Sequence, residues 1–172
     1  MINLFRPKFE RCVEPELPVL YRVAKRMTSS SENAEDLVSQ TLLQAFRAWA
    51  SFDGRFLRSW LIVIMRRERN RLYREPSRVD LEIDELDQIP DHVVTWDLVS
   101  DRLQAAEIRA AIDQLETGYR LAICLCDVEG MSYEEAAAAL EVPIGTVRSR
   151  LSRARASVRR SLSSQFSPEI PV

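Results

Sequence analysis

Arginine is concentrated in one short stretch near the end of the chain. Six arginines fall between Arg148 and Arg160, and no acidic residue interrupts them. A guanidinium is permanently charged and donates hydrogen bonds in a fork that matches phosphate oxygens and the O6 and N7 atoms of guanine. These residue types favour binding to a polyanion, and the elements that carry them indicate which one.

The arginines follow the sequence SYEEAAAALEVPIGTV, which has the pattern of a short helix, a tight turn and the start of a second helix. Ser132 and Glu135 match the capping-box spacing, so we expect a helix to start at Tyr133. This arrangement predicts a helix–turn–helix whose second helix lies in a DNA major groove. The alternative, a solvated basic face on a surface helix, is less favoured because a capped helix and a short turn precede it.

Helical periodicity divides the second helix into two faces. Val147, Leu151, Ala154 and Val158 form one stripe that we expect to face the core. Outward residues in the first turns are best placed to reach base edges, whereas the later arginines are better placed for phosphates. The candidate DNA contacts on this helix are Thr146, Arg148, Ser149, Ser152 and Arg153.

A second arginine-rich stretch, FDGRFLRSWLIVIMRRERNRLYR, lies at residues 52–74 and holds seven arginines together with aromatic side chains. Cations that follow phosphates and rings that stack on bases suit a surface for unpaired nucleic acid. Trp60, Leu61 and Ile64 fit a core equally well, with the arginines as a solvated rim, and composition does not separate the two interpretations.

The stretch AEDLVSQTLLQAFRAWA at residues 34–50 has the pattern of an amphipathic helix. Its apolar side consists of Leu37, Thr41, Ala45 and Ala48, with Leu42, Phe46 and Trp49 alongside. The polar residues are expected to be exposed. The helix is either a surface for a partner protein or one member of a small helical bundle.

Charge divides the chain into three segments, although the net charge is only −2. Residues 1–75 carry 14 basic and 9 acidic residues, residues 76–101 carry one and eight, and residues 102–172 carry nine of each. Helical patterns occupy both ends and are absent from the acidic middle. We therefore predict an all-α fold of two small helical domains, 1–75 and 102–172, joined by an acidic linker, 76–101, with the helix–turn–helix in the second domain.

Composition argues against several other classes of protein. The start, MINLFRPKFERC, lacks the apolar core of a signal peptide, and no apolar run approaches the roughly 20 residues of a membrane span. Three cysteines and His92 make a zinc site or another metal site improbable, and Cys124 and Cys126 fit buried thiols better than ligands. Without a phosphate-binding glycine loop or a nucleophile–base pattern, we expect neither an enzyme nor a cofactor. An intracellular protein without membrane insertion is expected.

Both halves resemble an extracytoplasmic-function (ECF) sigma factor of the sigma-70 family, a class of small bacterial transcription initiation factors. The family's domain for the promoter −35 element is similar to the stretch LETGYRLAICLCDVEGMSYEEAAAALEVPIGTVRSRLSRAR. The part of this stretch that is most specific to the family is GTVRSRLSRAR. AEDLVSQTLLQAFRAW followed by SWLIVIMRR is similar to the domain for polymerase binding and −10 recognition. The resemblance extends over residues 17–162.

The resemblance implies a cytoplasmic protein that binds core RNA polymerase through its largest subunits, directs it to promoter DNA and helps to melt the −10 element. It also implies control by an anti-sigma factor and a role in stress response. The −35 helix would use Arg150 as well as Arg148, Ser149 and Arg153. The polymerase contacts implied by the match are Asp36, Leu37, Gln40, Leu43 and Arg47. The implied −10 contacts are Phe52, Asp53, Arg55, Phe56, Trp60, Arg67 and Arg71.

Three positions depart from the family pattern. Ser39-Gln40 follows DLV where the family usually has Gln-Glu or Gln-Asp, and Leu115-Glu116 stands where it has Leu-Pro. Arg67 occupies a position that is commonly Asn and that can contribute to −10 recognition. These departures predict an atypical subgroup with its own −10 sequence. The alternative function is a stand-alone helix–turn–helix transcriptional regulator, against which the N-terminal half argues.

Overall fold

The computed structural model describes residues 9–73 and 102–165, with backbone alone at 102–104 and 164–165. These residues form helices and turns without a strand, which confirms the all-α class. The acidic linker and His92 lie outside the described residues. The α-helices are α1 (Phe9–Val13), α2 (Leu17–Met27), α3 (Ser31–Ala48), α4 (Leu57–Tyr73), α5 (Arg102–Asp113), α6 (Thr117–Ile123), α7 (Tyr133–Leu140) and α8 (Ile144–Gln165).

Contacts divide the described residues into two units. The first contains α1 to α4 together with residues 134–141, and the second contains α5, α6, Tyr133 and α8. This grouping differs from the predicted domain boundaries at α7, which the sequence assigns to the second domain. The exact boundaries of the domains stay a prediction.

The core of the first unit is built by α2, α3 and α4, which contact one another pairwise. The largest side chains that are fully buried there are Leu20 and Val23 of α2, Leu37 of α3, and Leu61, Ile62 and Met65 of α4. Burying one such side chain contributes about 1.5–3 kcal/mol relative to leaving it in water. Three of the four residues predicted to face inward from α3, Leu37, Thr41 and Ala45, are buried, and the fourth, Ala48, is half-buried.

Local hydrogen bonds fix where these helices begin and end. The Ser30 hydroxyl accepts from the backbone N–H of Asn33 at 3.1 Å and caps the start of α3. At the end of α2, the side chain of Arg69 donates to the carbonyl of Met27 at 3.2 Å. The ion pair of Arg58 with Glu16, at 2.6 Å, links the start of α4 to the turn before α2.

Within this unit, α4 also contacts α7. The Ser59 hydroxyl donates to the carbonyl of Glu135 at 2.8 Å, and Arg66 donates to the carbonyl of Ala139 at 3.1 Å. Both donor side chains are buried, so each needs an acceptor. These bonds explain why contacts place α7 with α4.

The core of the second unit lies between α5, the region of α6 and α8. It consists of Ala111, Ile112, Ile123, Cys124, Leu151, Ala154 and Val158. The predicted inward stripe of the second helix is confirmed, because Val147, Leu151, Ala154 and Val158 are each at most 1% exposed.

A short π-helical segment, Cys124–Val128, continues α6 and is called the π turn below. The N–H of Glu129 donates to the carbonyl of Cys124 at 2.9 Å, five residues back. Gly130 has φ +67° and ends the segment in the left-handed region that glycine adopts without strain. The sequence predicted a plain helix here, and α1 was not predicted at all.

The sequence patterns predict helices at 16–28, 34–50, 59–74, 103–114, 119–128, 133–140 and 146–162. Apart from the stretch 119–128, which contains the π turn, each matches an observed helix to within three residues at both ends, and α7 begins at Tyr133 as expected. In the part of the chain that the structure describes, no helix is long and apolar enough to cross a membrane. The same residues bring together no group of three His, Cys, Asp or Glu side chains that could hold a metal ion.

Candidate nucleic-acid interface

The outer face of α8 carries the side chains predicted to read DNA. Arg148 is exposed, and Ser149, Ser152 and Arg153 are half-buried, opposite the buried stripe. Arg153 also interacts with another group of the protein. The sequence of α8 contains no aspartate or glutamate. Together these residues present cations and hydroxyl groups along one side of a 22-residue helix.

The first turn of α8 is set by backbone bonds from Thr146 and Val147, whose N–H groups donate to the carbonyl of Pro143 at 3.0 and 3.2 Å. The Ser149 hydroxyl donates to the carbonyl of Thr146 at 3.1 Å. Ser149 is therefore already hydrogen-bonded within its own helix, and it retains acceptor capacity for a DNA group.

Arg150 lies apart from this face. It is only 5% exposed, and a Cβ atom added at Gly118 would lie 3.5 Å from its guanidinium carbon. The arginine thus packs over the start of α6, in the second unit. Its predicted contact with DNA stays a prediction, and its position favours a structural role.

Arg155 is anchored by the π turn. Its Nε and Nη2 donate to the two carboxylate oxygens of Asp127 at 2.9 and 2.7 Å. The side chains are 14% and 11% exposed, so the pair is largely removed from water. The hydrogen bond from Arg155 to Asp127 raises the pKa of the arginine, with burial acting in the opposite direction and Tyr133 adding to the rise.

The neighbouring thiol of Cys126 is held in its neutral form. Burial, and next the charge of Asp127, raise the pKa of Cys126 to about 11, while the positive charge of Arg155 lowers it. Both cysteines are free thiols; Cys124 is buried, as predicted, whereas Cys126 is half-buried. Neither arrangement favours a reactive cysteine.

The predicted −10 aromatics form a cluster of rings. Phe52 lies 5.3 Å from Trp49 and 4.9 Å from Trp60, between ring centroids, and the two tryptophans are 6.0 Å apart. Phe52 and Trp60 are half-buried, so they combine packing with partial exposure. The core interpretation is confirmed at Leu61, which is buried, while Trp60 and Ile64 are half-buried. The base-stacking surface stays a prediction.

The loop between α3 and α4 exposes the side chains of Asp53, Arg55 and Phe56. Asp53 accepts from the backbone N–H of Arg55 at 2.9 Å, which closes a local turn. Phe56 is exposed with φ +48°, and the guanidinium of Arg55 lies 5.8 Å from its ring centroid. This loop carries an aromatic ring and a cation at its surface.

Further along α4, Arg67 and Arg71 are both exposed and both paired with acids. Arg67 is 68% exposed and lies 2.6 Å from Glu141, which also lies 3.6 Å from Arg66. Arg71 donates to one oxygen of Glu68 at 2.7 and 2.9 Å. A polyanion that binds Arg67 and Arg71 would have to displace their acidic partners, Glu141 and Glu68.

The outer face of α3 carries the predicted polymerase contacts, except for one. Asp36 and Arg47 are exposed, Leu43 is 42% exposed, and Gln40 is half-buried. Leu37 is fully buried in the core, which does not favour a direct contact with a partner.

Sequence reasoning placed Phe46 beside the core, but it is 59% exposed and is the most exposed large apolar side chain among the described residues. Phe9 of α1 contacts it edge-to-face at 5.5 Å and contacts Trp49 at 5.2 Å. The helical period was the available signal, since nine steps of about 100° place Phe46 about 180° from the buried Leu37.

Two family models match the chain. Sigma-70 region 2 matches residues 12–79, and sigma-70 region 4 matches residues 105–158. The ECF RNA polymerase sigma factor SigE of Mycolicibacterium smegmatis is 32% identical over 94% of the chain and 64% of its own length. The ECF RNA polymerase sigma factor EcfG of Rhodopseudomonas palustris is 33% identical over 83% of the chain and 78% of its own length. The chain thus spans less than two thirds of the first relative and over three quarters of the second.

Two solved structures are similar over most of the chain. The sigma factor RpoE of Bartonella quintana, in complex with the anti-sigma factor NepR, has a TM-score of 0.68 and 33% identity, covering 90% of this chain and 96% of RpoE. CnrH, in complex with the cytosolic domain of CnrY, has a TM-score of 0.65 and 27% identity, covering 91% and 88%.

Proposed function

Since the chain belongs to the ECF sigma factors, we propose that it directs core RNA polymerase to a specific set of promoters, with α8 reading the −35 element. The observation that carries this proposal is the outer face of α8. Arg148, Ser149, Ser152 and Arg153 lie opposite a fully buried stripe on a helix that contains no acid. Arg150 is left out of the reading face because its guanidinium is buried against Gly118.

The polymerase-binding surface is the outer face of α3, with Asp36, Gln40, Leu43, Phe46 and Arg47. An exposed phenylalanine beside an exposed leucine, rimmed by charges, is the composition of a protein interface. Leu37 supports this face from the core and is not a contact.

Recognition and melting of the −10 element are assigned to the loop after α3 and to α4. Phe56 and Arg55 are exposed on the loop, and Arg67 and Arg71 are exposed on the helix. Asp53, Phe52 and Trp60 shape the loop and its ring cluster. Exposed rings and cations together suit unstacked bases and their phosphates.

An anti-sigma factor is the proposed regulator, and the cytoplasm, where core polymerase works, is the proposed location. The similar sigma factor RpoE was solved with the anti-sigma factor NepR, and CnrH with the cytosolic domain of CnrY. A role in stress response is proposed on the family membership alone.

Run-off transcription with purified bacterial core polymerase, with and without the protein, tests the proposal on a pool of promoter fragments. We expect initiation at defined start sites that depends on the protein. Tight duplex binding by the protein alone, with no initiation, would instead indicate a stand-alone helix–turn–helix regulator. A variant with Arg148 and Arg153 both changed to Ala should select promoters with a relaxed −35 element and still bind core polymerase.

A further inference from the structure

Tyr133, the first residue of α7, contacts both an exposed arginine of α8 and the core of the second unit. Its ring centroid lies 5.8 Å from the guanidinium carbon of Arg148. The same side chain packs against the core cluster of the second unit, to which Leu151 of α8 belongs. Tyr133 and Arg148 both lie in the second unit. The tyrosine is therefore a bridge between the exposed Arg148 and the core of this unit.

The core end of this bridge is rigid. Tyr133 packs against the core cluster of the second unit, whose members include the buried Ile123 and Leu151. On the same helix as Arg148, Arg155 donates two hydrogen bonds to Asp127 at 2.7 and 2.9 Å, in a pair that is largely removed from water. Core packing fixes the position of the ring, and this ion pair holds α8 to the π turn.

The free end of the bridge is Arg148, the exposed arginine in the first turns of α8. A guanidinium within about 6 Å of a ring centroid is attracted by the charge distribution of the ring. That attraction uses the charge of the group and leaves its N–H edges available for guanine O6 and N7. Holding a long side chain in place also lowers the entropy lost when it binds.

We propose that Tyr133 is a positioning residue for −35 recognition: its ring, packed on the core of the second unit, orients Arg148 toward the base edge that Arg148 reads. The inference rests on the proposed function, in which Arg148 reads a base pair. It adds a residue outside α8 to the determinants of promoter choice.

Three variants of the full chain test the proposal. Tyr133→Phe keeps the ring and removes the hydroxyl, Tyr133→Leu removes the ring, and Arg148→Ala removes the side chain that is positioned. Tyr119→Leu is the matched control, because Tyr119 packs on the same core cluster from α6. Each variant is assembled with core polymerase and assayed by run-off transcription on promoters that differ by one −35 base pair.

We expect Tyr133→Leu to relax discrimination about two- to fivefold at the base pair where Arg148→Ala relaxes it, as loss of one exposed cation–π contact predicts. Tyr133→Phe should retain most of the discrimination, and Tyr119→Leu should retain all of it. The double variant Tyr133→Leu/Arg148→Ala should discriminate no worse than Arg148→Ala alone, since coupled residues are not additive. Thermal unfolding of each variant separates selectivity from stability.

Two outcomes would overturn the proposal in different ways. If Arg148→Ala relaxes one base pair while Tyr133→Leu lowers transcription evenly on every promoter, the tyrosine is structural and the proposed function stands. If Arg148→Ala changes no base preference, Arg148 does not read the −35 element, and both the assignment and the positioning role are wrong.

Discussion

Asp127 and Arg155, 28 residues apart in the sequence, form a bidentate ion pair with donor–acceptor distances of 2.7 and 2.9 Å. The aspartate belongs to the π turn and the arginine to the middle of α8. An ordinary α-helical continuation of α6 would place the carboxylate differently, because each π-helical step shifts the side chains that follow it. The pair thus fixes α8 relative to the π turn within the second unit.

Replacing Asp127 by Ala should destabilise the protein by about 3 kcal/mol, because it leaves the largely buried charge of Arg155 without its partner. Urea denaturation followed by circular dichroism measures the effect. The matched control is Arg67→Ala, which removes the 68% exposed partner of Glu141 while Glu141 keeps its second partner, Arg66, and which should cost less than about 1 kcal/mol. Equal losses for the two variants would contradict the buried character of the first pair.

The pKa of Cys126 makes stability depend on pH in the alkaline range. Burial raises it from an ordinary value of 9.0 to about 11 in the folded protein. Because the folded state holds the proton more tightly, the contribution to stability is complete below about pH 9 and is lost as the pH rises toward about 11. Cys126→Ala should therefore lose less stability than the parent protein over this range.

Urea titrations of both proteins at about pH 8 and about pH 10.5 give the difference. Alkylation of Cys126 in the folded protein should also be slow at the lower pH, since the thiolate is the reactive form. Rapid alkylation there, or parallel losses of stability in the two proteins, would contradict the raised pKa.

Much of the fold follows from the sequence, because periodicity reports which side of a helix is apolar. The stripe from Val147 to Val158 and the inward face of α3 were both predicted in this way. Periodicity does not report which element covers a side chain. The family resemblance assigns Arg150 to the DNA-binding face, yet α6 covers it at Gly118. Because glycine has no side chain, the sequence gives no sign of this contact.

Phe46 and the π turn were missed for different reasons. Phe46 was grouped with the apolar side of α3 by its residue type, although an ideal helix places it about 180° from Leu37, and its ring is exposed. The π turn was not predicted, because a single hydrogen bond to the carbonyl five residues back produces no pattern in an apolar sequence such as LAICLCDV. Such features depend on tertiary neighbours.

Two classes of arginine substitution on α8 should behave differently. Arg148→Ala or Arg153→Ala should each cost about 1–3 kcal/mol at one −35 base pair and relax choice there. Arg159 and Arg160 are exposed in a later turn, so Arg159→Ala should weaken binding to all promoters alike and reduce the salt slope by about 1.

Promoter binding by the assembled holoenzyme at several salt concentrations, on single-base-pair variants of the −35 element, separates the two classes. Arg150→Ala serves as the control for folding, since it removes a buried side chain and should lower the unfolding midpoint. A uniform, salt-dependent loss for Arg148→Ala and Arg153→Ala would argue for phosphate contacts in place of base contacts.

The outer face of α3 should bind core polymerase without contributing to the fold. Phe46→Ala and Arg47→Ala alter exposed side chains, so we expect weaker assembly with core polymerase and an unchanged unfolding midpoint. Leu37→Ala is the contrasting variant and should destabilise the protein by about 2–5 kcal/mol through a cavity in the core. Competition with a labelled sigma factor for core polymerase measures assembly, and normal assembly of both surface variants would move the interface elsewhere.

Arg67 should determine which −10 sequence is accepted, because it is 68% exposed on α4 at a position where the family commonly has asparagine. An arginine reaches further than an asparagine and lacks its acceptor, so the two cannot pair with the same base edge. Arg67→Asn should therefore shift −10 preference in run-off transcription on a promoter library. The control, Glu141→Gln, removes the ion-pair partner of Arg67 and should leave the preferred sequence unchanged. If Arg67→Asn and Glu141→Gln alter initiation to the same extent on every promoter, the arginine acts through its ion pair and does not read the base.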